Sequence, residues 1–400
     1  MTGGAAPAGA AVLVLVALAS LSAWEEGSPL RPRDGGDAPS RTAWLFLALV
    51  VFAFVAYVVG LLLARRGLSS RAALALGAAI QLVPLAAPLL LSTDAWTYWG
   101  YGWIGAEGAN PYVEPPSSFP GSPAAAYVGA DWRETTSVYG PAFTLLSEPV
   151  ARIAGSSPDA AAWLFKLLAA AGMLSVLAAV ARLATGGGIA VAFVGWNPVL
   201  ALHLAGGGHN DALIAAFVTG AVALTASRRH TLAGAAWALG VAVKWIPLVF
   251  LGLAALAARA RGHPTGLMPA VATAVGLALV ATWRYGVDWL GALGPLAENA
   301  SRETSYALPA RLEQLGVPGP VALGVALGLL AVGLGLLVRE ALHGRARLGR
   351  AACLVLATTP YLAVWYLAWA VPLAALDDDR TARLAALALT AYLLPQTIPL

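Results

Sequence analysis

An acidic residue at the edge of a long apolar run is the first candidate for chemistry. Asp94 directly follows an apolar stretch and opens a segment rich in tryptophan and tyrosine. A carboxylate at a membrane surface can deprotonate a hydroxyl group when partial burial raises its pKa. The alternative is that Asp94 caps a helix, with Trp96, Trp99 and Trp103 forming one helical face that lies in the lipid headgroup layer. Both interpretations are compatible with the residues alone.

The sequence GGGHND at 206–211 joins two apolar runs and is the second candidate. Its glycines permit a tight turn and a close approach of the backbone to a ligand. His209, Asn210 and Asp211 are then candidates to contact a ligand. The alternative is structural, because Asn210 or Asp211 would also cap the helix that follows. No metal site is predicted, since the chain has five histidines, one cysteine and no H-x-x-x-H pair.

Positively charged residues near the membrane surface are candidates to bind an anionic group. Lys244 is the first of them, because Pro247 predicts a helix break that brings the lysine to the membrane surface. The alternative is a lysine that reaches the interface only to solvate its own charge. Arg284, Arg302 and Arg311 are further candidates, or else solvated loop charges.

Two further groups of residues in the apolar runs are notable. Lys166 lies inside an apolar run, where a charge is costly and is usually paired, and Glu148 is its predicted partner. Trp365 and Tyr366 lie in a late apolar run, where they either line a cleft or only pack.

The composition predicts an integral membrane protein. Of the 400 residues, 59% are hydrophobic and 11% are charged, and the mean hydropathy is +0.75. Soluble domains carry about 25% charged residues, so a soluble domain is not expected anywhere in the chain. The net charge of +4 does not indicate nucleic-acid binding, because the arginines lie in short clusters between apolar runs. Cys353 is the single cysteine, so the chain forms no internal disulfide.

The apolar runs predict an all-α, polytopic fold with roughly 11 to 13 membrane helices and external interfacial helices. They fall at about 7–24, 42–64, 72–91, 159–184, 189–205, 212–226, 231–258, 265–284, 318–338, 351–375 and 381–398. The first is favoured as a membrane helix over a cleaved signal, because no lysine or arginine precedes it. Residues 25–41 are predicted to be a disordered linker, and 138–154 a short interfacial or re-entrant helix.

The whole chain is interpreted as one integral membrane domain. Its parts are N-terminal spans at 1–71, a core at 72–375 and a C-terminal span at 376–400.

Arginine clusters predict the orientation of this domain. They lie at 65–71, 228–229, 259–261 and 339–350, and the positive-inside rule assigns them to the cytoplasm. Segment 231–258 must then cross an even number of times, which favours a hairpin bent near Lys244 over one long tilted helix. Loops 92–138, 206–211 and 285–318 and the acidic run 377–379 are then external.

Four stretches in this order resemble a known family. They are YWGYGWIGAEGANPY after Asp94, VYGP at 138–141, WNPVLALHLAGGGHNDAL at 196–213 and PYLAVWYLAWAVPL at 360–373. The chain resembles the bacterial polyprenol-phosphate-mannose-dependent α-mannosyltransferases, membrane glycosyltransferases of the GT-C fold. The resemblance covers most of the chain from about residue 85 to residue 375.

The resemblance implies a polyprenyl-phosphate-mannose donor as co-substrate, a glycan or lipoglycan acceptor and an inverting transfer with Asp94 as general base. It implies no cofactor, no metal dependence, membrane lipids as partners and a cytoplasmic membrane location with the active site facing the exterior. The residues expected to bind sugar or acceptor are Tyr98, Tyr101, Asn110, Tyr112, Tyr139, His209, Asn210, Asp211, Trp365 and Tyr366. Lys244, Arg284, Arg302 and Arg311 are expected at the donor phosphate.

Three other functions are compatible with the residues. One is a related transferase that uses a polyprenyl-phosphate-arabinose donor, one is a lipid or solute transporter, and one is a membrane scaffold without catalytic activity. A transporter predicts internal repeats and charged or broken helices near the bilayer midplane. The polar residues collect instead on one side of the membrane, which favours the enzyme.

Overall fold

The computed structural model describes residues 4–32, 41–292, 294, 303–377 and 379–397. Every regular element in these ranges is helical, which confirms the all-α prediction. The α-helices are α1 Ala5–Leu21, α2 Arg41–Ala64, α3 Ser70–Leu82, α4 Asp94–Ala106, α5 Pro141–Ala154, α6 Pro158–Leu183, α7 Gly188–Gly195, α8 Pro198–Ala201, α9 Asp211–Ala226, α10 His230–Val243, α11 Pro247–Ala260, α12 Leu267–Tyr285, α13 Leu308–Gln314, α14 Gly319–Leu342, α15 Leu348–Thr358, α16 Leu367–Leu376 and α17 Arg380–Leu393.

Several of these helices are long and apolar enough to cross a membrane, as expected for a polytopic protein. In the described ranges there are five, formed by α1, α2, α6, α12 and α14, or up to six with the bent pair α7–α8. Six further apolar helices are only 10–17 residues long. The helices of spanning length are therefore fewer than the 11 to 13 predicted, because many predicted apolar segments are broken.

The break between α7 and α8 is a local consequence of the sequence Trp196-Asn197-Pro198. Pro198 cannot donate a backbone hydrogen bond, and the Asn197 side chain accepts from the amides of Val199 and Leu200 to start the next helix. The two helices meet at 48°. After α8 the chain continues as a π-helix over Leu202–Gly206, which leads directly into the glycine turn.

Segment 231–258 forms the predicted hairpin. Helices α10 and α11 are separated by Lys244–Ile246, and α11 begins at Pro247. At the other end of the hairpin, His230 and Arg261 line one cavity, so the two arms return to the same level. The single tilted helix is therefore excluded, and Lys244 lies at the turn.

Three of the arginine clusters, at 228–229, 259–261 and 339–350, collect at one end of the bundle, which we call the arginine end, because Arg228, Arg261 and Ala346 line one cavity there. Arg261 packs beside Gly344, and Leu68, which follows Arg65 and Arg66, packs against Gly188. The opposite end, which contains Asp94, is called the Asp94 end.

The predicted location of the acidic run is wrong. Asp379 pairs with Arg350 and lies 3.8 Å from Arg347, and the carboxylate of Asp377 accepts from the Gly349 amide. Asp377 and Asp379 thus lie at the arginine end, and Asp378 is outside the described residues. The error arises because segment 351–375 does not cross once: it breaks between α15 and α16 and turns back.

Part of the predicted linker is ordered. The Arg31 guanidinium donates to the carbonyls of Ala23 and Trp24, and the Leu30 carbonyl accepts from the amide of Leu91. Leu30 is fully buried. Residues 25–32 therefore pack against the Asp94 end, while 33–40 lie outside the described residues.

The tryptophans of α4 do not form a membrane-facing stripe. Trp99 is fully buried, Trp96 and Trp99 lie against Tyr127, and Trp103 lies against Phe119. The indole faces are covered by the loop that follows α4, because that loop folds back over the helix instead of extending from it.

The 138–154 segment contains a helix of 14 residues, as predicted, and it is not among the candidate spans. Its Glu148 pairs with Arg284 at 3.1 Å and accepts from the Tyr285 hydroxyl. The predicted pairing of Lys166 with Glu148 is wrong. The Lys166 ammonium instead donates to the backbone carbonyls of Ala87 and Pro88, which the break after α3 leaves free.

Close packing of α4 on α5 depends on Gly102. A Cβ at this position would meet the carbonyl carbon of Ser147 at 2.6 Å, closer than real contacts allow. We expect Gly102→Ala to destabilise the protein by about 1–3 kcal/mol, because the overlap with backbone outweighs the gain in helix propensity. Thermal unfolding of the purified protein in detergent measures this as a lower Tm.

Gly220→Ala is the matched control, since Gly220 lies within α9 and has open space around the added methyl group. Its Tm should be unchanged or slightly higher. An unchanged Tm for Gly102→Ala would contradict the tight α4–α5 contact.

Candidate active site

The Asp94 carboxylate lies at the first position of α4, with a tyrosine and a histidine beside it. Tyr98, one turn later on the same face, donates its hydroxyl to Oδ2 of Asp94 at 3.3 Å. Nδ1 of His209 lies 3.1 Å from the same oxygen. Thr93 precedes the helix, and Asp94 makes no capping hydrogen bond, so the capping alternative is not realised.

The pKa of Asp94 is lowered, contrary to the expectation that burial would raise it. Burial is the largest single influence and does raise the pKa. It is outweighed by the hydrogen bond and charge of His209, the charge of Lys244 and a hydrogen bond from Ser92. Asp94 is therefore ionised at neutral pH and is available as a proton acceptor.

The glycine turn places His209 against Asp94. Gly208 has φ +71°, and a Cβ there would lie 3.2 Å from Cβ of Ala95 at the start of α4. The His209 ring is fully buried and stacks on Trp365, with ring centroids 3.9 Å apart and planes 13° apart. The glycines thus allow the close approach of the backbone that the sequence predicted. The turn also brings the stretch at 196–213 into contact with the stretch at 360–373.

A buried ion pair lies next to this group. The Lys244 ammonium is 3.2 Å from Oδ1 of Asp211, and the Trp369 indole donates to the same oxygen at 2.8 Å. Asp211 is fully buried. The α9 N-terminus has no side-chain cap, so the predicted capping role of Asn210 or Asp211 is wrong: the Asp211 carboxylate points to Lys244.

Two aromatic rings flank the lysine. The Lys244 ammonium lies 4.7 Å from the centroid of Tyr366 and 5.5 Å from that of Trp369. These two rings stack on each other at 4.0 Å. Since ring faces attract cations, the lysine is held between a carboxylate and a π surface while 14% of its side chain stays exposed.

A groove of about 430 Å³ begins at this lysine. Trp245, Val249 and Val355 form part of its wall, and Tyr361 and Tyr366 line it near Lys244. It runs between α11 and α15, and most of its lining is apolar. A cation at one end of an apolar groove matches the two parts of an amphiphile that carries a phosphate.

Several buried polar atoms around the site lack a protein partner within the described part of the chain. They are both ring nitrogens of His203 and both amide atoms of Asn210. Buried polar groups are almost always satisfied, so these atoms are candidates to bind ligand hydroxyl groups. His203 lies 6.3 Å from Trp365 and 6.5 Å from His209, measured between ring centroids.

The VYGP stretch packs on the hairpin turn. The Gly140 amide donates to the Val243 carbonyl at 3.0 Å, immediately before Lys244. Tyr139 is buried and packs edge-on against Tyr98 at 5.1 Å. Tyr139 thus supports the aromatic wall behind Asp94.

Three predicted sugar-binding residues make hydrogen bonds that hold the loop after α4. The Tyr101 hydroxyl donates to the Thr135 carbonyl, and the Tyr112 hydroxyl donates to Thr144. The Asn110 amide donates to the Tyr285 carbonyl at 2.8 Å. These contacts hold Tyr101, Tyr112 and Asn110 in place. Tyr101 lies close enough to Asp94 that the pKa of its hydroxyl is raised first by burial and then by the charge of that carboxylate. Their binding of a sugar stays a prediction.

The predicted arginines are also placed away from Lys244. Arg284 binds Glu148 and the Gly105 carbonyl. Arg311 lies over the Tyr306 ring and donates to the Tyr392 hydroxyl. Arg302 lies outside the described residues. Among the predicted phosphate ligands, Lys244 alone is brought next to the Asp94 group in the described part of the chain.

His203, Tyr361 and Trp369 complete the site and were not predicted. His203 lies six residues before His209, and Trp369 three residues after Tyr366, inside stretches that carried the resemblance. The spacing of Tyr366 and Trp369 indicates one helical face, a signal that was present but not used. No three His, Cys, Asp or Glu side chains converge in the described ranges, and metal independence stays a prediction.

Removing one partner of the Asp211–Lys244 pair should cost more stability than removing both. Lys244→Met leaves the Asp211 carboxylate buried with the Trp369 indole as its remaining donor, and we expect a loss of about 3–5 kcal/mol. The double variant Asp211→Asn/Lys244→Met should recover part of that loss. Thermal unfolding in the same detergent gives the Tm of the wild type, of Lys244→Met and of the double variant.

Arg345→Gln is the control, because the Arg345–Glu340 pair at 3.7 Å is exposed and should contribute less than about 1 kcal/mol. If the double variant is less stable than Lys244→Met, the unpaired Asp211 carboxylate is not the cause of the lost stability, and the prediction is contradicted.

Comparison with known proteins identifies the family. The model described as alpha-(1->6)-mannopyranosyltransferase, N-terminal domain, matches residues 6–260, and that of glycosyltransferase family 87 matches residues 138–397. Alpha-(1->6)-mannopyranosyltransferase A of Mycobacterium tuberculosis is 32% identical over 231 residues, which cover 52% of this chain and 44% of that protein. Its namesake in Corynebacterium glutamicum is 30% identical over 168 residues, covering 40% of this chain and 34% of that protein.

A second alpha-(1->6)-mannopyranosyltransferase of M. tuberculosis is 28% identical over 394 residues, covering 76% of this chain and 66% of that protein. No solved structure matches the chain significantly. The matched segments span less than half of the first two relatives and about two thirds of the third. Since each of the two family models matches more than half of the chain, the protein belongs to the alpha-(1->6)-mannopyranosyltransferase family and to glycosyltransferase family 87.

Proposed function

We propose that this protein transfers a mannosyl residue from polyprenyl-phosphate-mannose to a glycan or lipoglycan of the cell envelope. The observation that carries the proposal is the convergence of an ionised carboxylate, Asp94, with a cation, Lys244, at the start of an apolar groove. The relatives are named as α-(1→6)-mannosyl transferases, which supports mannose as the sugar.

Asp94 acts as the general base. Its carboxylate takes the proton of the acceptor hydroxyl while that oxygen attacks the anomeric carbon of the donor sugar. The bond from the anomeric carbon to the phosphate oxygen breaks on the opposite face, and its electron pair leaves with the polyprenyl phosphate. A β-linked donor then gives an α-linked product. The lowered pKa supports this role, because the proton-accepting form is present throughout the neutral range.

Tyr98 and His209 position the base. Both approach Oδ2 of Asp94, so the other carboxylate oxygen stays free of them for the acceptor hydroxyl. The stacking of His209 on Trp365 fixes the imidazole, and therefore the direction of the carboxylate. His209 also holds the charge of Asp94 in a site from which water is largely excluded.

Lys244 binds the leaving phosphate. It is tied to Asp211 but keeps part of its side chain exposed to the groove, where a phosphate oxygen can reach it. A positive charge placed where negative charge develops stabilises the transition state. The apolar walls of the groove between α11 and α15 accommodate the polyprenyl chain, which enters sideways from the bilayer.

The donor sugar lies between the two charged groups. Trp365 and Tyr366 offer ring faces there, and His203 and Asn210 offer polar atoms that have no protein partner in the described part of the chain. We assign the recognition of the sugar hydroxyl groups to these residues. The anomeric carbon is oriented because the donor phosphate is bound at Lys244 and the acceptor hydroxyl at Asp94.

The Asp94 end faces the exterior of the cytoplasmic membrane. Arginine-rich loops stay in the cytoplasm, and here they collect at the end opposite Asp94. The donor is therefore used on the outer face, where envelope glycans are available as acceptors.

Replacing the base should abolish transfer. We expect Asp94→Asn to lower kcat/KM by about 10²- to 10⁴-fold, the usual contribution of general base catalysis. The measurement is transfer of radiolabelled mannose from polyprenyl-phosphate-mannose in membranes with matched protein levels.

Glu107→Gln is the control, since Glu107 is exposed just beyond the other end of the same helix, and its activity should match the wild type. Equal activity of Asp94→Asn and wild type would remove Asp94 from the mechanism. If the protein transfers arabinose from polyprenyl-phosphate-arabinose and does not use the mannose donor, arabinose replaces mannose as the proposed sugar.

The pH dependence should report the interaction of Asp94 with His209. Because the pKa of Asp94 is lowered, the base form is lost only below the ordinary aspartate value of about 3.9. The acid limb of kcat/KM that is due to Asp94 should therefore lie below about pH 4 in the wild type. His209→Gln removes the main interaction that lowers the pKa and leaves burial, which raises it, so the limb should move to higher pH. Superimposable profiles would contradict this electrostatic role of His209.

A further inference from the structure

A second cavity lies at the arginine end, on the opposite side of the bundle from Asp94. Its volume is about 660 Å³, and it lies between α9, α10 and α11 and the segment that precedes α15. Four basic side chains line it: Arg228, His230, Arg261 and His263. None of its lining residues is acidic.

These four side chains differ from Arg345, Arg347 and Arg350 at the same end of the bundle. Arg347 and Arg350 pair with Asp379, and Arg345 pairs with Glu340. By contrast, the side chains of Arg228, His230, Arg261 and His263 form no hydrogen bond or ion pair with any part of the chain that the structure describes. Converging cations without counter-charges give a concave site with a positive potential, which attracts an anion.

The local backbone holds these side chains in place. Gly234 approaches the Gly266 carbonyl and the Ala270 amide so closely that a Cβ would lie 2.6–2.7 Å from them. This contact presses the loop that contains His263 against the start of α10. Arg228 has φ +58°, a left-handed conformation that non-glycine residues keep only where the surroundings impose it.

Arg261 is also held by packing. The aliphatic part of its side chain lies against Gly344, where a Cβ would be 2.9 Å from Cγ of the arginine. The start of the side chain is thus held at the cavity, while the residue as a whole stays exposed and accessible to a ligand.

Most of the rest of the cavity wall is apolar, apart from Thr225 and Thr265. It is formed by side chains of the helices that continue into the bundle, among them Val222, Trp237, Ala254, Ala258 and Leu348. The occupant therefore needs an anionic group at the arginine end and hydrocarbon towards the bundle. An anionic phospholipid of the adjacent leaflet has both parts, whereas a soluble anion has only the first.

We propose that this cavity binds an anionic phospholipid, with the phosphate at Arg228 and Arg261 and an acyl chain along the apolar wall. The site is separate from the transferase reaction and does not depend on it. It ties the turn after α9 to the turn after α11, so an occupied site stabilises the hairpin whose other end carries Lys244.

Native mass spectrometry of the full-length protein in detergent tests the proposal, with phosphatidylglycerol and phosphatidylcholine as probes. We expect phosphatidylglycerol to be retained at least about tenfold more tightly than phosphatidylcholine. Arg228→Gln/Arg261→Gln should lose about tenfold or more in phosphatidylglycerol affinity, since two charge-assisted contacts to the phosphate are removed. Arg229→Gln/Arg259→Gln removes the same charge from neighbouring positions that do not line the cavity, and it should bind as the wild type does.

An equal loss of phosphatidylglycerol affinity in both double variants would overturn the proposal, because binding would then depend on net charge and not on the cavity. Displacement of phosphatidylglycerol by glycerol 1-phosphate or inorganic phosphate at equal concentration would also overturn it, in favour of a soluble anion. If Arg228→Gln/Arg261→Gln does not fold, the single variants Arg261→Gln and Arg259→Gln are compared in the same way. Mannosyl transfer is not the readout, so failure of this proposal is distinguishable from failure of the proposed function.

Discussion

The buried pair between Asp211 and Lys244 is the interaction on which the site depends. It joins the start of α9 to the turn between α10 and α11, and the Trp369 indole adds α16 to the same carboxylate. A buried charge that loses its partner is strongly unfavourable, so the three elements must meet at this point. The hairpin turn is thereby held next to the glycine turn, which places a cation near Asp94 and opens the groove between α11 and α15.

Around this pair, aromatic stacking supplies the rigidity that the short helices lack. A helix of 14 residues is about 21 Å long and does not cross a bilayer core of about 30 Å. His209 on Trp365 and Tyr366 on Trp369 form two stacked pairs at 3.9 and 4.0 Å. The first pair connects the segment after α15 to the glycine turn, and the second lies within that segment and faces the Lys244 ammonium. Broken helices are tolerated at membrane depth where they line a cavity, and here the breaks are the places where the polar side chains gather.

The charge distribution of the bundle is different at its two ends. At the Asp94 end, Lys166 is engaged with carbonyls, Lys244 with Asp211 and Arg284 with Glu148. At the arginine end, some arginines are paired and others face a cavity without acidic residues. The first arrangement suits a site that holds one carboxylate ionised, and the second suits contact with a negatively charged lipid surface.

The sequence by itself determined the all-helical membrane fold, the hairpin at Lys244 and the candidates Asp94, His209 and Asp211. Hydropathy, helix breaks and glycine runs are local properties, and they act over a few residues. Tertiary structure decided which charges meet: Glu148 pairs with Arg284 instead of Lys166, Asp379 lies at the arginine end, and the pKa of Asp94 falls instead of rising. These outcomes depend on residues far apart in the chain, because a buried charge is governed by its nearest neighbours in space.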